Sequence, residues 1–131
     1  MDFDFTAMCT AILNGTLKDF EFKWKPGYQV APCMVSGGYP GTYEKGKEIT
    51  INKPLLNAST AKIFVAGAVA GRRHENDLLT SGGRVLACSA YGSSFKEAWQ
   101  KAYQGLSAIK FDGAFFRKDI GLPGAAESGK L

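Results

Sequence analysis

Apolar positions change their period several times along this chain, and each change marks an element. Phe5, Met8, Cys9, Ile12 and Leu13 recur at steps of three and four, the spacing of one helix face, and Gly15 stands where a C-terminal cap is wanted. Residues 29–36 are largely apolar and predict a strand that runs into a glycine-rich loop. Glu48-Ile49-Thr50-Ile51 alternates, which predicts a short strand with one solvated face, closed by Asn52-Lys53-Pro54. Residues 62–69 predict a third strand. Residues 70–81, which include Gly71-Arg72-Arg73-His74-Glu75-Asn76-Asp77, read as an exposed polar excursion. Residues 84–91 predict a fourth strand that ends at Gly92.

The second helix has the clearest local signature. Ser94-Phe95-Lys96-Glu97 is a capping box, in which the Ser94 hydroxyl accepts from the Glu97 N–H while the Glu97 side chain reaches back. Phe95, Ala98, Trp99, Ala102, Tyr103, Leu106 and Ile109 follow on one face, with Lys96, Gln100, Lys101 and Gln104 on the other. Burial of Phe95, Trp99 and Leu106 is worth roughly 1.5–3 kcal/mol each, so this face must pack on a sheet. Ala114-Phe115-Phe116-Arg117 predicts a last short strand, and the residues from Leu122 onward read as a frayed tail rich in Gly, Ala, Ser and Pro. The order helix, strands, helix, strand gives an α+β fold class: a mainly antiparallel sheet with a packed amphipathic helix. No internal repeat or linker divides it.

The loop at residues 36–46 concentrates special backbone. It carries four glycines, one proline and two tyrosines between strand-like runs. Glycine serves where positive φ or close approach is needed and proline pre-sets φ for a turn, so Gly37, Gly38, Tyr39, Pro40 and Gly41 predict a shaped loop, structural or lining a cleft.

Composition narrows the class. The chain has 131 residues, 45% hydrophobic and 21% charged, an ordinary globular balance for one domain. A net charge of +4 suits an anionic ligand, but the lysines are scattered and no like-charge run forms a nucleic-acid stripe. Cys9, Cys33 and Cys88 are an odd, widely spaced set, which with the single His74 makes a poor metal site; Cys33 and Cys88, in apolar strand-like runs, read as buried free thiols, and the compartment as reducing. His74 lies in a loop-like stretch and reads as a surface histidine. The chain opens acidic and holds no apolar run of membrane-spanning length, so no membrane and a cytoplasmic place are expected.

Candidate chemistry is sparse. No nucleophile–base pair, carboxylate pair, phosphate-loop or dinucleotide motif appears, so the residues alone give no catalytic group and no metal ligand. Gly82-Gly83-Arg84 is the best binding candidate, because backbone N–H groups beside a guanidinium fork clamp phosphate or carboxylate. The alternative is a hairpin turn with Arg84 paired to a carboxylate on the sheet. Arg117 and Lys118 invite the same comparison, as a weaker anion contact or simply a charged strand end.

Three motifs carry a resemblance. Residues 36–46 resemble the "GGYPG-Y-KG" loop of the phosphoribosylamine–glycine ligase (glycinamide ribonucleotide synthetase) family. Residues 81–87 are similar to that family's "GGRVL" turn, and residues 109–121 to its closing "I-FEG-FYRKDIG" segment, in the same order and at comparable separations. The resemblance implies the C-terminal domain of an ATP-grasp ligase, a sheet-rich unit with a rudiment single hybrid motif, that closes one wall of the active site. It implies a reaction of purine biosynthesis that joins glycine to 5-phosphoribosylamine, with ATP cleaved to ADP and phosphate through a glycyl-phosphate. It also implies Mg-ATP as the cofactor of the full-length enzyme, with its ligands outside this chain, and the ATP-grasp core as partner. On that basis residues 1–15 form a helix leaving the absent core, 16–121 the C-terminal domain and 122–131 a flexible tail. Gly82, Gly83 and Arg84 then face 5-phosphoribosylamine. Two departures stand out: Val65 and Ala68 replace the histidine and threonine of the family's "FHAGT", and Leu122-Pro123-Gly124-Ala125-Ala126 replaces an Arg-containing continuation. A diverged, non-catalytic binding or interaction module of the same fold is the alternative.

Overall fold

The computed structural model describes residues 1–71 and 77–122. Its organising element is a nine-residue strand, Arg84–Gly92, in which Val85, Leu86, Cys88 and Ala90 are all buried. Such a run fits a strand covered on both faces. In chain order the strands are β1 (Tyr28–Val30), β2 (Cys33–Val35), β3 (Glu48–Ile51), β4 (Lys62–Val65), β5 (Ala68–Ala70), β6 (Leu78–Thr80), β7 (Arg84–Gly92) and β8 (Ile109–Lys110). The helices are α1 (Phe5–Leu13), α2 (Lys53–Ser59) and α3 (Phe95–Ser107).

Strand β7 takes β1 and β2 antiparallel along one edge and β4 antiparallel along the other. The β1 and β2 pairings keep one register, from Tyr28↔Gly92 to Met34↔Leu86, and a bulge follows at Met34/Val35. Pro32 separates the two strands because it has no N–H to donate, yet its carbonyl still accepts from Cys88 N at 3.2 Å. The single strand expected over residues 29–36 is therefore interrupted at its proline. A second antiparallel sheet has the order β5-β6-β3-β8.

The run at 62–69 differs from the one strand its apolar sequence predicts. It serves both sheets, β4 in the first and β5 in the second, and crosses at Ala66-Gly67. Gly67 is needed there: a Cβ on it would stand 2.5 Å from the Arg84 carbonyl oxygen and 2.8 Å from the Gly82 Cα. Helix α2 was not predicted. Asn52 caps it by accepting from Leu55 N at 3.1 Å, and Pro54 lies in its first turn, where a missing N–H costs nothing. Strand β6 also lies within the segment read as a polar excursion, while Arg72, Arg73 and His74 lie outside the described residues. At 114–117 the expected strand is reduced to a bridge, Val35↔Phe115, with N···O distances of 2.7 and 3.0 Å. Gly113, at φ +74°, turns the chain immediately before it.

Helix α3 carries the predicted face. Ala98, Ala102 and Leu106 are fully buried, and small residues let the helix approach closely: a Cβ on Gly105 would stand 2.7 Å from that of Ala61. One core gathers Met34, Ile49, Val85, Leu86, Cys88, Leu106, Ile109 and Phe111, and a second joins Val30, Ala90, Ala98 and Ala102. Ile109, expected at the end of the helix, begins β8 instead and is buried in that first core.

The cap of α3 forms with a one-residue shift in its return half. Ser94 Oγ accepts from Glu97 N at 3.2 Å, but the Glu97 carboxylate accepts from Ser93 N and Ser93 Oγ, at 2.8 and 2.7 Å. Lys101 Nζ donates to the same carboxylate at 2.6 Å. These donors, Lys101 first, hold the Glu97 carboxyl down at about 2. Because the folded-state value lies below the unfolded one, the contribution is complete above the ordinary carboxylate range and is lost as pH falls towards 2. A carboxyl-carbon NMR titration is expected to place the Glu97 midpoint near 2, and Lys101→Ala to raise it; an ordinary midpoint in the wild type would contradict this cap.

Helix α1 is capped by Asp4, which accepts from Ala7 N at 3.0 Å, and it buries none of its residues. Beside it Phe3 packs edge-to-face on Phe20, Phe22 and Trp24, with ring centroids 5.6, 5.4 and 5.5 Å away. Among the described residues no helix is long and apolar enough to cross a membrane.

Candidate functional site

A cleft of about 560 Å³ opens where the crossing at Gly67 and the turn residue Gly83 meet β2, β4 and β7, and Gly82 is not among the residues that line it. Cys33, Tyr39, Phe64, Val65, Gly83 and Arg84 line it. The Gly67 carbonyl accepts from Ser81 N at 2.8 Å and Gly82 N at 3.1 Å, so two backbone segments lie against each other and leave no room for a side chain on Gly67. That contact sets Arg84, the first residue of β7, at the rim.

Arg84 is exposed and makes no ion pair among the described residues. The sheet carboxylate that a purely structural hairpin would supply is therefore missing from those residues. Arg117 differs. Its Nε and Nη2 meet the two carboxylate oxygens of Asp119 at 2.9 and 2.5 Å, a bidentate pair that holds the Asp119 carboxyl below its ordinary value. The guanidinium fork of Arg117 is thus already engaged, and Lys118 lies beside this pair rather than among the cleft-lining residues. Tyr103 donates its hydroxyl proton towards the carbonyls of Arg117 and Ile120, at 2.7 and 3.1 Å, and so ties this segment to α3.

The glycine loop meets the cleft through Tyr39. Its ring occupies the space a side chain on Gly83 would need, and it lies edge-to-face with Tyr43 at 6.1 Å. The Tyr39–Pro40 peptide is cis, and Gly38 sits at φ +94°, a conformation that favours glycine. Gly37 passes so close to the next segment that a Cβ would stand 2.8 Å from the Gly113 carbonyl oxygen. Lys47 closes the far side of the loop, with Nζ 2.7 Å from Glu44 and 3.0 Å from Asp112. These two hydrogen bonds, Glu44 first, raise the Lys47 ammonium above its ordinary value. Pro40 and Gly41 complete the loop outside the lining of the cleft.

Sequence reasoning missed Cys33 and Phe64 as cleft residues. Cys33 is half-buried; burial raises its thiol pKa, and the nearby Arg84 charge opposes that rise. Cys88, expected to be a buried free thiol, is pushed up to about 11 by burial. Of the two residues that replace the family's histidine and threonine, Val65 lines the cleft and Ala68 does not. Among the described residues no three His, Cys, Asp or Glu side chains converge as a donor set for a metal ion.

Fold and cleft together define the class: an α+β domain that presents a depression with a guanidinium at its rim that forms no ion pair among the described residues. The family model for phosphoribosylglycinamide synthetase, C domain, matches residues 29–123. Phosphoribosylamine–glycine ligase of Vibrio vulnificus is 37% identical over 92% of the chain, and that of Chlorobaculum tepidum is 40% identical over 85%. A crystal structure of phosphoribosylamine–glycine ligase from Thermotoga maritima superposes with a TM-score of 0.65 at 33% identity, over 86% of the chain. The chain spans 27% of the length of the Vibrio protein and 27% of the Thermotoga one. It belongs to the phosphoribosylglycinamide synthetase family, as the C domain.

Proposed function

We propose that this chain serves a phosphoribosylamine–glycine ligase by supplying the wall of the active site that faces 5-phosphoribosylamine. The observation that carries this reading is Arg84, exposed at the rim of the cleft without a carboxylate partner among the described residues. A guanidinium presents a planar fork that matches the oxygens of a phosphate ester, and the Gly82-Gly83 turn, packed on Gly67 and Tyr39, holds the backbone that carries it. Residues 16–121 form the substrate-facing unit. Residues 1–15, with their exposed apolar helix, continue from an ATP-grasp core that holds Mg-ATP and performs the phosphoryl and acyl transfer steps. This chain binds and orients; the core does the chemistry.

The chain by itself, supplied with glycine, 5-phosphoribosylamine and Mg-ATP, is expected to form no ADP. Coupled-assay detection of steady ADP release by the purified chain would refute this division of labour. Val65 favours a second reading, because it gives the cleft an apolar lining where the family pattern has a histidine. A non-catalytic module predicts that even the full-length protein makes no glycinamide ribonucleotide.

A further inference from the structure

We propose that Ser36 and Tyr39 are positioning residues for the substrate-facing turn, with the glycine loop acting as a clamp that fixes where the Arg84 guanidinium starts. The inference rests on the reading that Arg84 receives an anionic substrate. Ser36 is 4% exposed and spends both of its donors on the turn. Its N–H donates to the Gly83 carbonyl at 2.8 Å and its hydroxyl to the Gly82 carbonyl at 2.9 Å. From the other side the Gly67 carbonyl holds Ser81 N and Gly82 N. Tyr39 completes the clamp by placing its ring against the buried Gly83, in the space a Cβ would fill. The loop is in turn anchored by the Val35–Phe115 bridge and by Lys47, which joins Glu44 to Asp112.

A residue at the rim of an open cleft binds an anion well only if the backbone that carries it is already in place. Ordering the turn at the moment of binding costs affinity, and a packed ring plus two hydrogen bonds removes that cost beforehand. Tyr39 lines the cleft as well, but its argued role runs through Gly83, which requires the ring and not the hydroxyl. Ser36 acts through two carbonyls and never needs to meet the ligand.

The test uses the isotopically labelled chain titrated with ribose 5-phosphate, with inorganic phosphate in parallel, and follows the amides of Gly82, Gly83 and Arg84 by NMR. The wild type is expected to show saturable shifts with ribose 5-phosphate, and an equal affinity for inorganic phosphate would reduce the ligand to its phosphate group while leaving the clamp intact. Arg84→Ala is expected to abolish the response. Tyr39→Ala is expected to weaken binding about tenfold, and Tyr39→Phe to restore it. The Hα signals of Gly83 report the clamp without ligand: ring-current shifts present in the wild type and Tyr39→Phe are expected to vanish in Tyr39→Ala. Ser36→Ala, which keeps the backbone bond and the ring, is expected to weaken binding by a smaller factor, and it carries the test if Tyr39→Ala does not fold. No response in the wild type, or an undiminished one in Arg84→Ala, overturns the anion reading itself. Loss in Arg84→Ala with wild-type binding in Tyr39→Ala and Ser36→Ala overturns the clamp alone.

Discussion

Leu106→Ala is expected to lower the unfolding free energy by about 2–5 kcal/mol, the cost of removing a buried leucine side chain and leaving most of its cavity behind. Leu106 is 0% exposed and lies with Met34, Val85, Leu86, Cys88 and Ile109 in the main core, so α3 and β7 lose a shared anchor. For a domain of this size, with a total stability of about 5–15 kcal/mol, that is a large share. Leu13 makes the contrast. It belongs to a helix with similar apolar spacing but is 86% exposed, so Leu13→Ala is expected to stay within about 0.5 kcal/mol. Urea unfolding checks both: Leu106→Ala should lower the midpoint at an unchanged slope, whereas matching midpoints for the two variants would contradict the assigned core.

Helix α3 was legible because everything that forms it is local: a Ser-x-x-Glu cap, an apolar face at helical spacing, and charge on the opposite side. Helix α2 was not. Asn52-Lys53-Pro54 reads as a turn, yet a capping Asn and a first-turn Pro are also how a helix begins, and seven residues give too little period to decide. The run at 62–69 carried no sign of its change of sheet, because Gly67 is required by a contact with Gly82 and Arg84 that only the folded chain creates. The motif Gly82-Gly83-Arg84 could be picked out from the sequence. The state of Arg84 could not, since whether a carboxylate meets it is a tertiary fact. The clamp was equally hidden, because Ser36 and Gly82 are 46 residues apart. In the sequence Lys47 is only one of many scattered lysines, whereas in the fold it bridges two carboxylates and fastens the glycine loop.

Arg84→Ala in the full-length ligase is expected to be the most damaging single change in the cleft for use of 5-phosphoribosylamine. A charge-assisted hydrogen bond contributes about 1.5–3 kcal/mol, which corresponds to about 10- to 150-fold in kcat/KM for the substrate that makes it. Arg84→Lys keeps the charge but loses the planar fork, so an intermediate loss is expected. Neither variant should unfold the domain, because the side chain is exposed and breaks no ion pair among the described residues. The decisive measurement is how the Arg84→Ala loss divides among the three substrates under steady-state conditions. The account predicts that KM for 5-phosphoribosylamine rises by at least about tenfold while KM for glycine and for Mg-ATP stay within about twofold. Unchanged constants, or a loss shared equally by all three substrates, would contradict the claim that this cleft receives the phosphoribosyl substrate.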